Sequence, residues 1–152
     1  MSHADGEPGT EPDGGSDRRG VIDVGAGEFV HLGLGATTVA LPRHTGDMSW
    51  YEEYARRHGG DGAEGRLVSL HTFDADWSEW EMHPVGSELV LCLAGRLRLH
   101  QEDPDGATTT VTIGPHEAIV NQPGVWHTAD VVEGPATALF VTAGAGTRHR
   151  VR

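Results

Sequence analysis

Four residues carry the chemistry of this chain: Glu81, His83, Glu88 and His127. Imidazole nitrogen and carboxylate oxygen are donors that first-row divalent metals accept. Glu81 and His83 are two positions apart, so a strand would point both side chains to one face. Pro84, Val85, Gly86 and Ser87 read as a turn. Glu88 then opens the apolar run 89–93, which is short and β-rich enough to be a buried strand. A carboxylate at the head of such a strand is costly unless it is paired or ligated. His127 follows the turn signal Pro123-Gly124. A metal needs ligands that converge from several strands, and this layout supplies them.

The residues around these four resemble the cupin superfamily. Its first motif contains H-x-H-x4-E-x6-G, and positions 81, 83, 88 and 95 fit it with Glu81 in place of the first histidine. Its second motif, G-x5-P-x-G-x2-H-x3-N, is matched by Gly114, Gly124 and His127. Gln122 stands at the proline position after a longer gap, and Val131 stands at the asparagine. Trp80 to Glu88 also resembles a bacterial subgroup with W-E-x-H-P-x-G-x-E, and Pro123 to Ala129 resembles its P-G-V-W-H-T-A. The resemblance spans residues 65–147. It implies one small β-barrel and a metal held by Glu81, His83, Glu88 and His127. It does not fix an activity, because this fold carries many.

The elements that must position these residues read as strands. Segments 66–73, 77–83, 88–93, 96–101, 108–113, 117–120, 125–132 and 136–142 each carry strand patterning between turn signals such as Asp103-Pro104-Asp105-Gly106. The pattern predicts an all-β barrel or jelly roll, and the lack of an internal repeat predicts a single one. Residues 1–20 are rich in Gly, Pro, Asp and Glu and predict a disordered tail. Residues 21–64 predict an arm and a short helix, with Ser49 as N-cap, Glu52 three positions on and Gly59 as the stop. Residues 65–147 would be the barrel and 148–152 a C-terminal tail. Trp77, Trp80 and Trp126 are expected to pack the barrel mouth. His71, His100 and His116 are expected at the surface or at strand edges.

Composition narrows the function. The chain of 152 residues carries a net charge of −12 and has 11 basic residues, all arginine. Without a basic cluster beyond Arg148, Arg150 and Arg152, neither nucleic acid nor an anionic membrane is expected as a partner. The absence of lysine excludes Schiff-base chemistry. Cys92 is the single cysteine and lies in an apolar strand, which predicts a buried, inert thiol. No apolar run suits a membrane span and no signal pattern opens the chain, so the cytoplasm is the expected location. The arm 21–41 offers apolar surface that predicts a homodimer.

Two imidazoles and two carboxylates would cancel a divalent charge and form a hard site. That favours Fe2+ or Mn2+ over copper, with Zn2+ and Ni2+ also able to fill it. Two function classes follow. One is a metal-dependent enzyme, of dioxygenase or isomerase type, acting on a small chelating oxygen-rich molecule, with Glu81 as ligand or catalytic base. The other is a binding module or sensor for a metal or small ligand.

Overall fold

The computed structural model describes residues 18–152, so the tail expected over 1–20 lies almost wholly outside the described residues. Strands β1 (Val30–Gly33) and β2 (Thr37–Ala40) form a hairpin, followed by helix α1 (Met48–His58) and a 3-10 segment over Gly59–Glu64. Then come β3 (Arg66–Phe73), β4 (Glu79–Met82), β5 (Glu88–Glu102), β6 (Thr108–Ile113), β7 (Ala118–Asn121), β8 (Trp126–Thr142) and β9 (Arg148–Val151). All pairings are antiparallel. One path runs β2-β1-β3-β8-β4-β9, and β5 pairs with β6, β7 and β8. This is the all-β barrel that the strand pattern predicts.

The segments 88–93 and 96–101 form one strand rather than two, as do 125–132 and 136–142. Their ladder runs from Glu88 opposite Thr142 to Glu102 opposite Trp126, with register shifts between Cys92 and Leu97. The shifts switch which residues face inward: Val90 and Cys92 are buried before them, Leu97 and Leu99 after. Gly95 makes the bulge, with φ +70. A Cβ there would stand 2.4 Å from the Glu133 carbonyl oxygen, so only glycine lets the two strands bend together. The bend folds this long ladder on itself and brings its two ends near each other.

Nine buried residues, among them Val90, Leu97, Leu99, Ile113 and Phe140, form the barrel core. Ala129, Ala136 and Ala138 are fully buried and let β5 and β8 approach closely. A second cluster, Phe29, Leu41, Trp50 and Leu67, fastens α1 and the N-terminal arm to β3. The arm is thus built into the sheet through β1.

Three expectations need correction. The cap of α1 is Asp47, whose carboxylate accepts from the Ser49 and Trp50 amides; an ionised acceptor outcompetes the Ser49 hydroxyl, which itself bonds to Asp47. Residues 148–151 form β9 against β4 rather than a tail. Their charges are compatible with a strand because the Arg150 guanidinium lies over the Trp80 and Trp126 rings, 4.9 and 4.6 Å from their centroids, and pairs with Glu102. Those two tryptophans therefore clamp an arginine instead of packing the barrel mouth. Among the described residues, no helix is long and apolar enough to cross a membrane.

Candidate metal centre

The four sequence-derived ligand candidates meet in space. Glu81 lies on β4 directly opposite His127 on β8. His83 follows β4, and its carbonyl accepts from Gly124, which pins it to the turn before β8. Glu88 opens β5, with Asn121 of β7 and Thr142 of β8 on either side. His83 Nε2 is 3.4 Å from a Glu81 oxygen and 3.3 Å from Glu88 Oε1, and His127 Nε2 is 3.1 Å from Glu88 Oε2. Donor atoms of Glu81, His83 and His127 all lie within 4.8 Å of one another. Donors bound to one ion at about 2.1 Å stand roughly 3.0–3.4 Å apart in octahedral or tetrahedral sites, and the three histidine–glutamate distances have that spacing.

The hydrogen bonds behind the histidines fix their tautomers. His127 Nδ1 faces the Val125 carbonyl at 3.2 Å, which can only accept, so Nδ1 carries the proton. His83 Nδ1 is 2.8 Å from Thr147 Oγ1, whose own hydrogen goes to the Gly144 carbonyl; Thr147 therefore accepts from His83. Both rings turn Nε2 inward, where Glu88 and Glu81 oxygens stand 3.1–3.4 Å away, and among the described residues neither buried Nε2 has a partner in good hydrogen-bond geometry. Buried polar atoms are rarely left unpaired. Two Nε2 atoms facing two carboxylates would fit a divalent cation that displaces any proton held there, and ligating imidazoles are oriented by such outer hydrogen bonds.

The carboxylates differ. Glu88 is buried; Asn121 donates to one oxygen at 3.0 Å and Thr142 to the other at 2.7 Å. Burial alone would raise its carboxyl pKa, but His127 and His83 outweigh burial and hold it well below the usual range. Glu81 is a third exposed and faces the cavity. Its partly sunk position and the charge of Glu88 push its pKa upward, against His83, His127 and His149. For His83, burial pulls downward, yet Glu88 and Glu81 win and raise it. β9 adds His149 opposite Glu81, 3.8 Å from its second oxygen.

A cavity of about 630 Å3 opens beside this cluster, lined by Glu81, His83 and Glu88 together with residues of α1, β3 and β8. His71 belongs to it, against the surface or edge placement expected, because β3 alternation puts it on the inner face with Leu67, Ser69 and Phe73. Sequence reasoning also missed a polar cluster at the cavity's rim. His31 is buried, with Nδ1 2.8 Å from the Tyr54 hydroxyl and Nε2 2.8 Å from Asp61. Gly33 and Gly65 make room for it, since a Cβ on either would come within 3.0 Å of the His31 ring. Burial and the charge of Asp61 push Tyr54 up to about 12. His100 lies on the outer face, paired with Asp130, and His116 is exposed. Cys92 is buried, and burial raises its thiol pKa, as expected of an inert cysteine.

No protein-family model matches the chain, and no curated protein matches its sequence. Solved structures do match. A deletion variant of Bacillus subtilis oxalate decarboxylase aligns with a TM-score of 0.50 at 17% identity, over 57% of this chain and 23% of its own. The fold is the cupin barrel. HppE, as a Co(II) complex with substrate, aligns at TM-score 0.43 and 14% identity over 51% of this chain and 44% of its own. A cupin superfamily protein from Desulfitobacterium hafniense aligns at 0.43 and 19%, over 51% and 65%. The chain thus spans less than half the length of the decarboxylase and of HppE. At these identities the likeness is one of fold.

Proposed function

We propose that this barrel is a metal-dependent enzyme acting on a small, chelating, oxygen-rich molecule. The observation that carries this reading is the pair of buried, unpartnered Nε2 atoms facing two carboxylates beside an open cavity. His83, His127, Glu88 and Glu81 would hold one divalent ion, with Fe2+ or Mn2+ best suited to the oxygen-rich set. When bound, the ion would act as a Lewis acid and orient the chelating oxygens of the substrate. Glu88 is held rigidly by Asn121 and Thr142 and serves as the fixed anionic ligand. Among the described residues Glu81 has no such donors; it faces the cavity and supplies the adaptable carboxylate that completes the set. Helix α1 lines the cavity with Tyr51 and Tyr54.

The test is elemental analysis of the purified chain, then O2 uptake and solvent-deuterium incorporation with candidate chelating substrates. Stoichiometric metal with turnover that disappears in His127→Ala supports the reading. Metal and ligand binding with neither O2 uptake nor exchange would make the protein a binding module instead.

A further inference from the structure

The charges around the cavity restrict its ligand. The chain has no lysine, and all 11 of its basic residues are arginines within the described residues. None of those arginines lines the cavity, whereas Glu52, Glu81 and Glu88 do. Burial, helped by His44, pushes the His71 imidazole below its ordinary pKa; burial and then the neighbouring His31 do the same for His58. A divalent ion held by Glu81 and Glu88 has its charge cancelled by them. An anionic substrate would therefore meet no guanidinium or ammonium on the wall, although such groups are the usual partners of carboxylates and phosphates.

The far wall is aromatic. Phe140 sits two residues before Thr142 on β8, and Thr142 donates to Glu88. Residues two apart on a strand share a face about 7 Å apart, and Phe140 and Thr142 line the same cavity as Glu81, His83 and Glu88. Phe73 packs on Trp77 with centroids 5.3 Å apart, and Trp77 packs on Phe140 at 5.9 Å. All three line the cavity. Aromatic walls of this kind hold planar apolar groups by stacked and edge contacts.

We propose, on the basis of the metal site above, that the pocket takes an uncharged planar ring compound with two adjacent oxygen donors. Its oxygens face Glu81, His83, Glu88 and His127, and its ring lies against Phe73, Trp77 and Phe140. The test uses the full chain loaded with Co2+, its metal content measured on the same sample. Catechol and oxalate are then titrated, followed by the Co2+ absorption spectrum; both chelate through adjacent oxygens, but only oxalate is anionic in solution at neutral pH. Catechol is expected to bind at least about tenfold tighter than oxalate. Phe73→Leu, which keeps an apolar side chain, should weaken catechol by about tenfold and leave oxalate and metal content unchanged. Equal or tighter oxalate binding by the metal-loaded chain overturns the substrate class and leaves the metal site standing. Failure to take up metal overturns the site and this inference with it.

Discussion

Thr147 gives the sharpest test of the metal centre, because Thr147→Val leaves every candidate ligand in place. The hydroxyl accepts from His83 Nδ1 at 2.8 Å and is locked in that role by donating to Gly144. Valine fills the same volume and accepts nothing. In the metal-free protein the His83 ring can escape by moving its proton to Nε2, where Glu88 and Glu81 oxygens stand 3.3 and 3.4 Å away. With a metal on Nε2 that escape is closed, and Nδ1–H stays buried and unpaired. The penalty therefore falls on the bound state. An unpaired buried donor costs about 1–3 kcal/mol, which corresponds to a loss of about 10–100-fold in affinity, the range seen when outer partners of metal-bound histidines are removed. The assay is competition for Mn2+ or Zn2+ against a chromogenic chelator at neutral pH, comparing wild type, Thr147→Val and Thr147→Ser. Serine retains the hydroxyl and should stay close to wild type. If the valine variant binds metal as tightly as wild type, Thr147 does not set the His83 tautomer and the reasoning fails.

Other outcomes follow from the same geometry. His83→Ala and His127→Ala should each lose most of the bound metal while keeping a β-rich circular dichroism spectrum; undiminished metal in both would remove the site assignment. Glu81→Gln should weaken metal binding, and Glu81→His should restore it at least to the wild-type level; unchanged affinity in both variants would mean that Glu81 never touches the ion. Gly95→Ala should destabilise the fold by about 2–5 kcal/mol, combining left-handed strain with a Cβ forced onto the Glu133 carbonyl, and its melting temperature should fall accordingly. A variant melting with wild type would show that the β5–β8 bend does not depend on glycine.

Glu81 and His83 were legible from their two-residue spacing, Glu88 from its place at the head of an apolar strand, and His127 from the turn and motif before it. The barrel was legible from short runs between turns. What lay hidden depends on partners distant in sequence. Asn121 ends an ordinary strand, and nothing near it says that Glu88, 33 positions earlier, will take its amide hydrogen. Thr147 sits in a loop and becomes informative only once its neighbour is known to be His83. The strand over 148–151 was unreadable because alternating Arg, His and Arg look solvated until the Trp80 and Trp126 rings are found under Arg150. His31 gave no signal, since its warrant is two glycines and a carboxylate from other segments.

The two glutamates divide the work of the site. Glu88 is an anion buried at the head of a strand, and in a metal-free barrel such a charge is costly. It is stabilised by donors from both flanking strands and by two imidazoles within 3.3 Å, so the site exists before a metal arrives. Among the described residues Glu81 has no comparable donors, and it remains partly in contact with the cavity. In the proposed site, a carboxylate rather than an imidazole at position 81 would add a negative charge on the cavity wall. The same charge that neutralises the ion leaves it without surplus attraction for an anion, and the aromatic wall from Phe73 to Phe140 offers binding of a different kind. On that proposal, the glutamate at position 81 would bear on metal preference and on substrate charge together.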